Sequence, residues 1–160
     1  MVNFQKEHYS YEDMLEIMRL LRAPGGCPWD AEQTHESIRR NFLEETCEAV
    51  EAIDNHDMPA LREELGDVLM QVIFHAQMEA EVGGFTMQDV IDGLCRKLVY
   101  RHPHVFSDVK VANSDEVLTN WEALKRQEKA QRSTADAIDA VAKTLPALWR
   151  AEKMESKAAK

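Results

Sequence analysis

Apolar residues recur along the chain at intervals of three and four, the period of a helix with one buried face, and no segment sustains apolar–polar alternation at every second position. The first such series is Met14, Leu15, Ile17, Met18 and Leu21. Ser10 with Asp13 forms a capping box before it, and Pro24, Gly25 and Gly26 end it. A second series, Ile38, Phe42, Leu43, Ala49, Val50 and Ile53, predicts a helix that starts near Asp30 or Thr34, runs to about Asn55 and buries those side chains. Asn55 to Pro59 reads as a turn, with Asp57 as N-cap and Pro59 in the first turn of the next helix. That helix carries Leu61, Leu65, Val68, Leu69, Val72, Ile73 and Ala76 on one face and stops at Gly83 and Gly84. Thr86 with Asp89 forms another box, opening a helix through Met87, Val90, Ile91, Leu94 and Leu98 that Pro103 terminates. Ser114 is expected to cap a last helix through Val117, Leu118, Trp121 and Leu124. The pattern predicts an all-α fold, a bundle of four to five helices without a sheet.

Length and composition narrow this further. The chain has 160 residues, 44% of them hydrophobic and 30% charged, which suits a globular domain. A domain over residues 1–130 is expected, followed by a helical tail or linker over 131–160, where Ala, Lys and Ser dominate and Leu145 to Trp149 form a short apolar knot. No apolar run is long enough to span a bilayer, and Met1 to Tyr11 lack the apolar core of a secretory signal, so a cytoplasmic protein without a membrane partner is expected. Cys27, Cys47 and Cys95 form no CxxC pair and are expected to be buried free thiols. A formal charge of −10 argues against a nucleic-acid polymer as partner, yet leaves room for a small phosphorylated ligand that meets bound metal.

The acidic residues are distributed unevenly. Glu45 and Glu48 are three apart, as are Glu64 and Asp67, so each pair projects to one side of its helix. With 100° per residue from Glu64, Val68 sits at about 40° and Asp67 at about 300°, which puts Glu64 on the apolar border and Asp67 on its outer flank. Glu44, Glu51 and Glu63 add to the like-charge repulsion, which a divalent cation would relieve. Carboxylate oxygens suit Mg²⁺ or Mn²⁺, whereas zinc would draw on Cys or His. A solvated acidic face explains the same spacing without any metal. Lys97 and Arg101 are four apart beside the apolar row Val90, Leu94 and Leu98, and could bind phosphate or pair with surface carboxylates. His102 and His104, split by Pro103, read as a capped helix end.

Glu44-Glu45-Thr46-Cys47-Glu48, followed after fifteen residues by Glu64-Leu65-Gly66-Asp67, resembles the EExxE and ExxD signature of the MazG family of nucleoside triphosphate pyrophosphohydrolases. Cys27-Pro28-Trp29-Asp30, the stretch Lys97 to Phe106, and Asn120 to Lys125 are similar to further MazG segments, and Leu145 to Ala151 resemble the start of a linker between two such domains. The resemblance implies an all-α bundle that shares helices in a homodimer or higher homo-oligomer, and hydrolysis of nucleoside triphosphates to monophosphate and pyrophosphate. It implies Mg²⁺ on Glu45, Glu48, Glu64 and Asp67, with Glu44 or another nearby carboxylate assisting the attacking water. It further implies phosphate contacts from Lys97 and Arg101, and nucleotide contacts from Trp121 and Lys125. Trp121 as core is an equally simple reading of its helical position. The alternative function is a catalytically weak structural, oligomerisation or nucleotide-binding domain of a tandem MazG protein.

Overall fold

In a computed structural model of the chain, which describes residues 4–128 and 133–159, the backbone is helical with no strand among the described residues. The helices are α1 (Tyr11–Arg22), α2 (Pro28–Glu32), α3 (Arg39–Asp54), α4 (Met58–Glu81), α5 (Met87–Arg101), α6 (Pro103–Phe106), α7 (Ser114–Glu128), α8 (Thr134–Asp139) and α9 (Ala147–Ala158). The chain divides into two compact units, Met1–Asp92 and Gly93–Lys160, within α5. The boundary expected between residues 130 and 131 lies outside the described residues.

The helix ends follow their local chemistry. Ser10 Oγ accepts from the Asp13 N–H while the Asp13 carboxylate accepts from the Ser10 N–H, and Thr86 and Asp89 repeat the arrangement. Asp57 caps α4 through the Ala60 N–H, with Pro59 in the first turn. Gly25 and Gly83 take the left-handed conformation at φ 85° and 75°, where a side chain would be strained.

Two expectations need correcting. The helix foreseen from Asp30 or Thr34 onward is two helices, α2 and α3, separated by residues 33–38. There Ser37 Oγ donates toward Gln33 Oε1 and the Thr34 carbonyl and accepts from the Thr34 N–H, so side chains replace the helical ladder. The cap of α7 is Asn113 rather than Ser114, for the Asn113 Oδ1 accepts from the Glu116 N–H. The short helices α2, α6 and α8 add to the four to five expected, because such brief elements leave little periodic signal, and α9 lies within the tail expected over 131–160.

The first unit is built on the α3–α4 hairpin, whose three-residue connection makes the helices antiparallel neighbours. Met18 of α1, Ile38, and Ile73, Phe74 and Met78 of α4 form its core, with Met14, Leu15, Met70 and Met87 packed against them. Ile73, 1% exposed, contributes about 2 kcal/mol by burial. Met14, Met18, Met70 and Met78 are thus core, as their spacing suggests. Several other expected core residues are not: Phe42, Leu43, Val50 and Ile53 on α3 and Leu65 and Leu69 on α4 are exposed in the single chain. Cys27, Cys47 and Cys95 are free, but only Cys27 is partly covered, since Cys47 and Cys95 face outward.

Arg22, the last residue of α1, joins three helix ends. Its guanidinium donates to both carboxylate oxygens of Glu81 on α4 at 2.9 Å and to the Asp30 and Gln33 carbonyls at 2.6 and 3.2 Å, and it stacks over Phe74 at 5.2 Å. The Arg22 side chain is only 7% exposed. In the second unit α8 packs on α9, burying Ala137 and Val141, and Lys157 of α9 reaches Glu122 of α7 at 3.0 Å. Among the described residues no helix is long and apolar enough to cross a membrane.

Arg22→Leu removes a buried cation and strands two helix-end carbonyls, so urea unfolding should register a loss of about 2–3 kcal/mol. Arg19→Leu, which breaks only the exposed pair with Glu16, should leave the unfolding midpoint nearly unchanged.

Candidate metal centre

The α3–α4 hairpin brings three acidic side chains together. Glu45 and Glu48 project from α3 and Glu64 from α4, and one carboxylate oxygen from each lies within 4.8 Å of the others. Asp67, one turn beyond Glu64, acts electrostatically on both Glu45 and Glu64, which places it beside the same cluster. Glu44 also bears on Glu45, but its own carboxylate accepts from Arg40 Nε at 2.8 Å.

Burial first, then the charges of Asp67, Glu48 and Glu44, holds the Glu45 carboxyl above its ordinary range. Burial and the charges of Glu48, Asp67, Glu63 and Glu45 do the same for Glu64. A carboxyl raised in the folded state stabilises the fold below its unfolded pKa, and that contribution disappears as pH rises through the folded value. At neutral pH the metal-free hairpin therefore carries electrostatic strain at this point.

The donor set fits a hard divalent cation. All its atoms are carboxylate oxygens, and neither a thiolate nor an imidazole joins the group. Oxygens on opposite sides of Mg²⁺ are separated by about 4.2 Å, so side chains whose oxygens already lie within 4.8 Å of one another need only small adjustments to share one ion. The same cation would offset the repulsion that raises Glu45 and Glu64.

The cationic and aromatic candidates belong to the second unit. Lys97 is half-buried on α5. Arg101, 7% exposed, donates from Nε to Glu128 Oε2 at 2.7 Å and lies 5.2 Å from the Trp121 ring centre. Lys125 Nζ stands 4.4 Å from the same ring. Trp121 is half-buried, so its indole serves as a platform for two cations. His102 Nδ1 engages the Leu98 carbonyl at 2.6 Å, the capped helix end that Pro103 suggested.

Two features escape the sequence reading. Gln71 continues the carboxylate face of α4, seven residues after Glu64 and four after Asp67, and its Oε1 is buried with no partner among the described residues. Its spacing was visible, but a neutral amide among apolar neighbours carries no signal of chemistry. Farther along the same face, His75 and Glu79 each meet His35, a convergence that depends on how residues 33–38 fold back.

Comparison with known proteins places these residues in context. The family model of the MazG nucleotide pyrophosphohydrolase domain matches residues 33–106, which include all four candidate ligands. The chain is 48% identical over 147 residues to the nucleoside triphosphate pyrophosphohydrolase of Escherichia coli, covering 91% of this chain and 56% of that protein. It is 50% identical over 148 residues to the uncharacterised protein YabN of Bacillus subtilis, covering 92% of this chain and 30% of that one. The chain thus spans about half or less of the length of these curated relatives. The crystal structure of a MazG-related protein from Thermotoga maritima superposes with a TM-score of 0.60 at 28% identity, covering 72% of this chain and 98% of that one.

Glu64→Gln keeps the side-chain shape while removing one of the crowded charges. At pH 7 the metal-free variant should melt at a higher temperature than the wild type, and Mg²⁺ or Mn²⁺ should raise its melting temperature less. A calorimetric scan with and without metal checks both signs; an unchanged metal-induced shift would remove Glu64 from the ligand set.

Proposed function

Because this chain belongs to the MazG nucleotide pyrophosphohydrolase family, we propose that it hydrolyses nucleoside triphosphates to the monophosphate and pyrophosphate, with a divalent cation, Mg²⁺ or Mn²⁺, as cofactor. The observation that carries this reading is the convergence of Glu45, Glu48 and Glu64 across α3 and α4, with Asp67 beside them. These four carboxylates would hold the cation. When bound, it would neutralise phosphate charge, acidify water and stabilise the pyrophosphate leaving group.

The chain's own residues supply the rest. Glu45, Glu48, Glu64 and Asp67, borne on two packed helices, would orient the centre with only small side-chain adjustments when substrate arrives. Glu44, tied to Arg40 at 2.8 Å, can accept a proton from water only by leaving that partner. Lys97 and Arg101 are proposed to bind phosphate oxygens, Lys97 as a point charge and Arg101 through its planar fork. Arg101 would exchange Glu128, its present anionic partner, for phosphate. Trp121 offers a flat face to a nucleotide, and Lys125 beside it a positive charge.

Self-association belongs to the same proposal. Leu43, Val50 and Ile53 on α3 and Met58, Leu65 and Leu69 on α4 are all exposed, a larger apolar stripe than a lone hairpin keeps in water. A second copy laid against it would bury both stripes and complete a helical bundle. The compartment proposed is the cytoplasm.

The reaction is tested by incubating a panel of nucleoside triphosphates with Mg²⁺ and separating pyrophosphate from orthophosphate; orthophosphate as first product would overturn it. Lys97→Ala should lower kcat/KM by about ten- to two-hundredfold, the worth of one lost charge-assisted hydrogen bond, with metal-induced stabilisation retained. Light scattering should give a dimer or larger assembly at micromolar concentration, and Leu65→Glu with Leu69→Glu should shift it toward the monomer.

A further inference from the structure

Three polar side chains of the first unit, apart from the carboxylate cluster, meet at one point. His35 lies in the connection between α2 and α3, and His75 and Glu79 stand one turn apart on α4. His35 Nδ1 is 2.7 Å from His75 Nδ1, and His35 Nε2 is 2.8 Å from Glu79 Oε1. The ring centroids are 5.0 Å apart with planes within 5° of parallel. That centroid separation equals the nitrogen–nitrogen distance plus one ring radius at each end. The imidazoles therefore lie edge to edge in one plane, with the two Nδ1 atoms aimed at each other.

Two facing ring nitrogens at this distance share one proton, since one must carry N–H and the other a lone pair. Glu79 accepts from His35 Nε2–H, which leaves His35 Nδ1 for His75. In the neutral pair, His75 Nδ1–H donates to His35 Nδ1. With one added proton, His35 becomes the cation, stabilised by Glu79, and donates to a His75 that carries its own proton on Nε2. A second added proton puts N–H against N–H and charge against charge. No hydrogen bond between the rings survives that state.

We infer that His35, His75 and Glu79 form a one-proton latch that fastens residues 33–38, and with them the entry of α3, to α4, and that a second imidazolium charge releases it. Ile38 at the end of this connection is 2% exposed in the core, and Phe42, one turn into α3, rests against His75 at 5.7 Å between ring centres. The charged groups on the elements packed against the latch include Glu79 on α4, Glu36 in the connection, whose carboxyl feels both His35 and Arg39, Arg39 at the start of α3, and Arg22 of α1, which donates to the Gln33 carbonyl and is paired with Glu81. Burial, and then the charge of His35, holds His75 below the ordinary imidazole range. A histidine depressed in the fold stabilises it above the unfolded value of about 6.5, and that contribution is lost as pH falls through the folded value. Glu36, held low chiefly by its own backbone N–H and by Thr34, titrates in the carboxylate range and does not mask the step. The latch does not depend on the nucleotide chemistry proposed above.

Amide hydrogen exchange on the whole chain tests it. Protection of residues 34–38 should fall by up to about tenfold per pH unit on acidification through the histidine range, the slope of a one-proton linkage, while Ile73 stays protected. His75→Phe keeps a ring and removes both nitrogens, so protection there should be lower at neutral pH and independent of pH across that range. His35→Phe should behave alike and serves if His75→Phe fails to fold. Imidazole ¹H–¹⁵N spectra of the wild type should contain one slowly exchanging Nδ1 proton that either substitution abolishes. Wild-type protection that is flat with pH, or the same slope in both variants, overturns the latch. So does protection of this segment by micromolar Zn²⁺ that requires both histidines, which would make the pair a metal site.

Discussion

Crowding of like charge on the α3–α4 hairpin is the constraint that the first unit is arranged to withstand. Helices that present Glu45, Glu48 and Glu64 within 4.8 Å of one another would spread or rotate if nothing else held them. The hairpin connection is too short to allow much separation, and Ile38, Ile73 and Phe74 hold the first unit together through its core. The resulting repulsion shows in the upward displacement of Glu45 and Glu64. A divalent cation placed here would relieve strain as well as form bonds.

Much of this was legible in the sequence. Three- and four-residue spacings gave α1, α3, α4, α5 and α7, and the capping boxes at Ser10 and Thr86 set two starts to the residue. The carboxylate pairs declared themselves because helical spacing converts ExxE and ExxD into geometry directly. What stayed hidden depends on contacts between distant parts of the chain. The break at residues 33–38 arises from competition by Thr34 and Ser37 side chains, which periodicity does not register. The apolar positions on α3 and α4 read equally well as core or as a surface for another chain, since composition does not distinguish the two. Arg101 beside Trp121 and Glu128 could be foreseen as a cation near the apolar border, but not which acid it would meet.

The second unit holds its charges differently. Arg101 and Lys125 share the indole of Trp121, and Lys157 pairs with Glu122, so cations here have aromatic or carboxylate partners. Indole faces attract positive charge through their quadrupole without neutralising it. Arg101 adds a carboxylate partner to the ring, since Glu128 accepts from its guanidinium at 2.7 Å.

The guanidinium of Arg22 has a consequence beyond holding helix ends. Glu81, its partner on α4, is separated from Glu64 by seventeen residues, about 25 Å along the helix axis. One end of α4 is thus clamped by a buried cation and the other burdened by clustered anions. Local unfolding should be graded along the hairpin, easiest at the carboxylates and hardest where α1, α2 and α4 meet. The acidic end can then breathe without the cooperative unit melting, so motion is confined to the end where the carboxylates meet solvent.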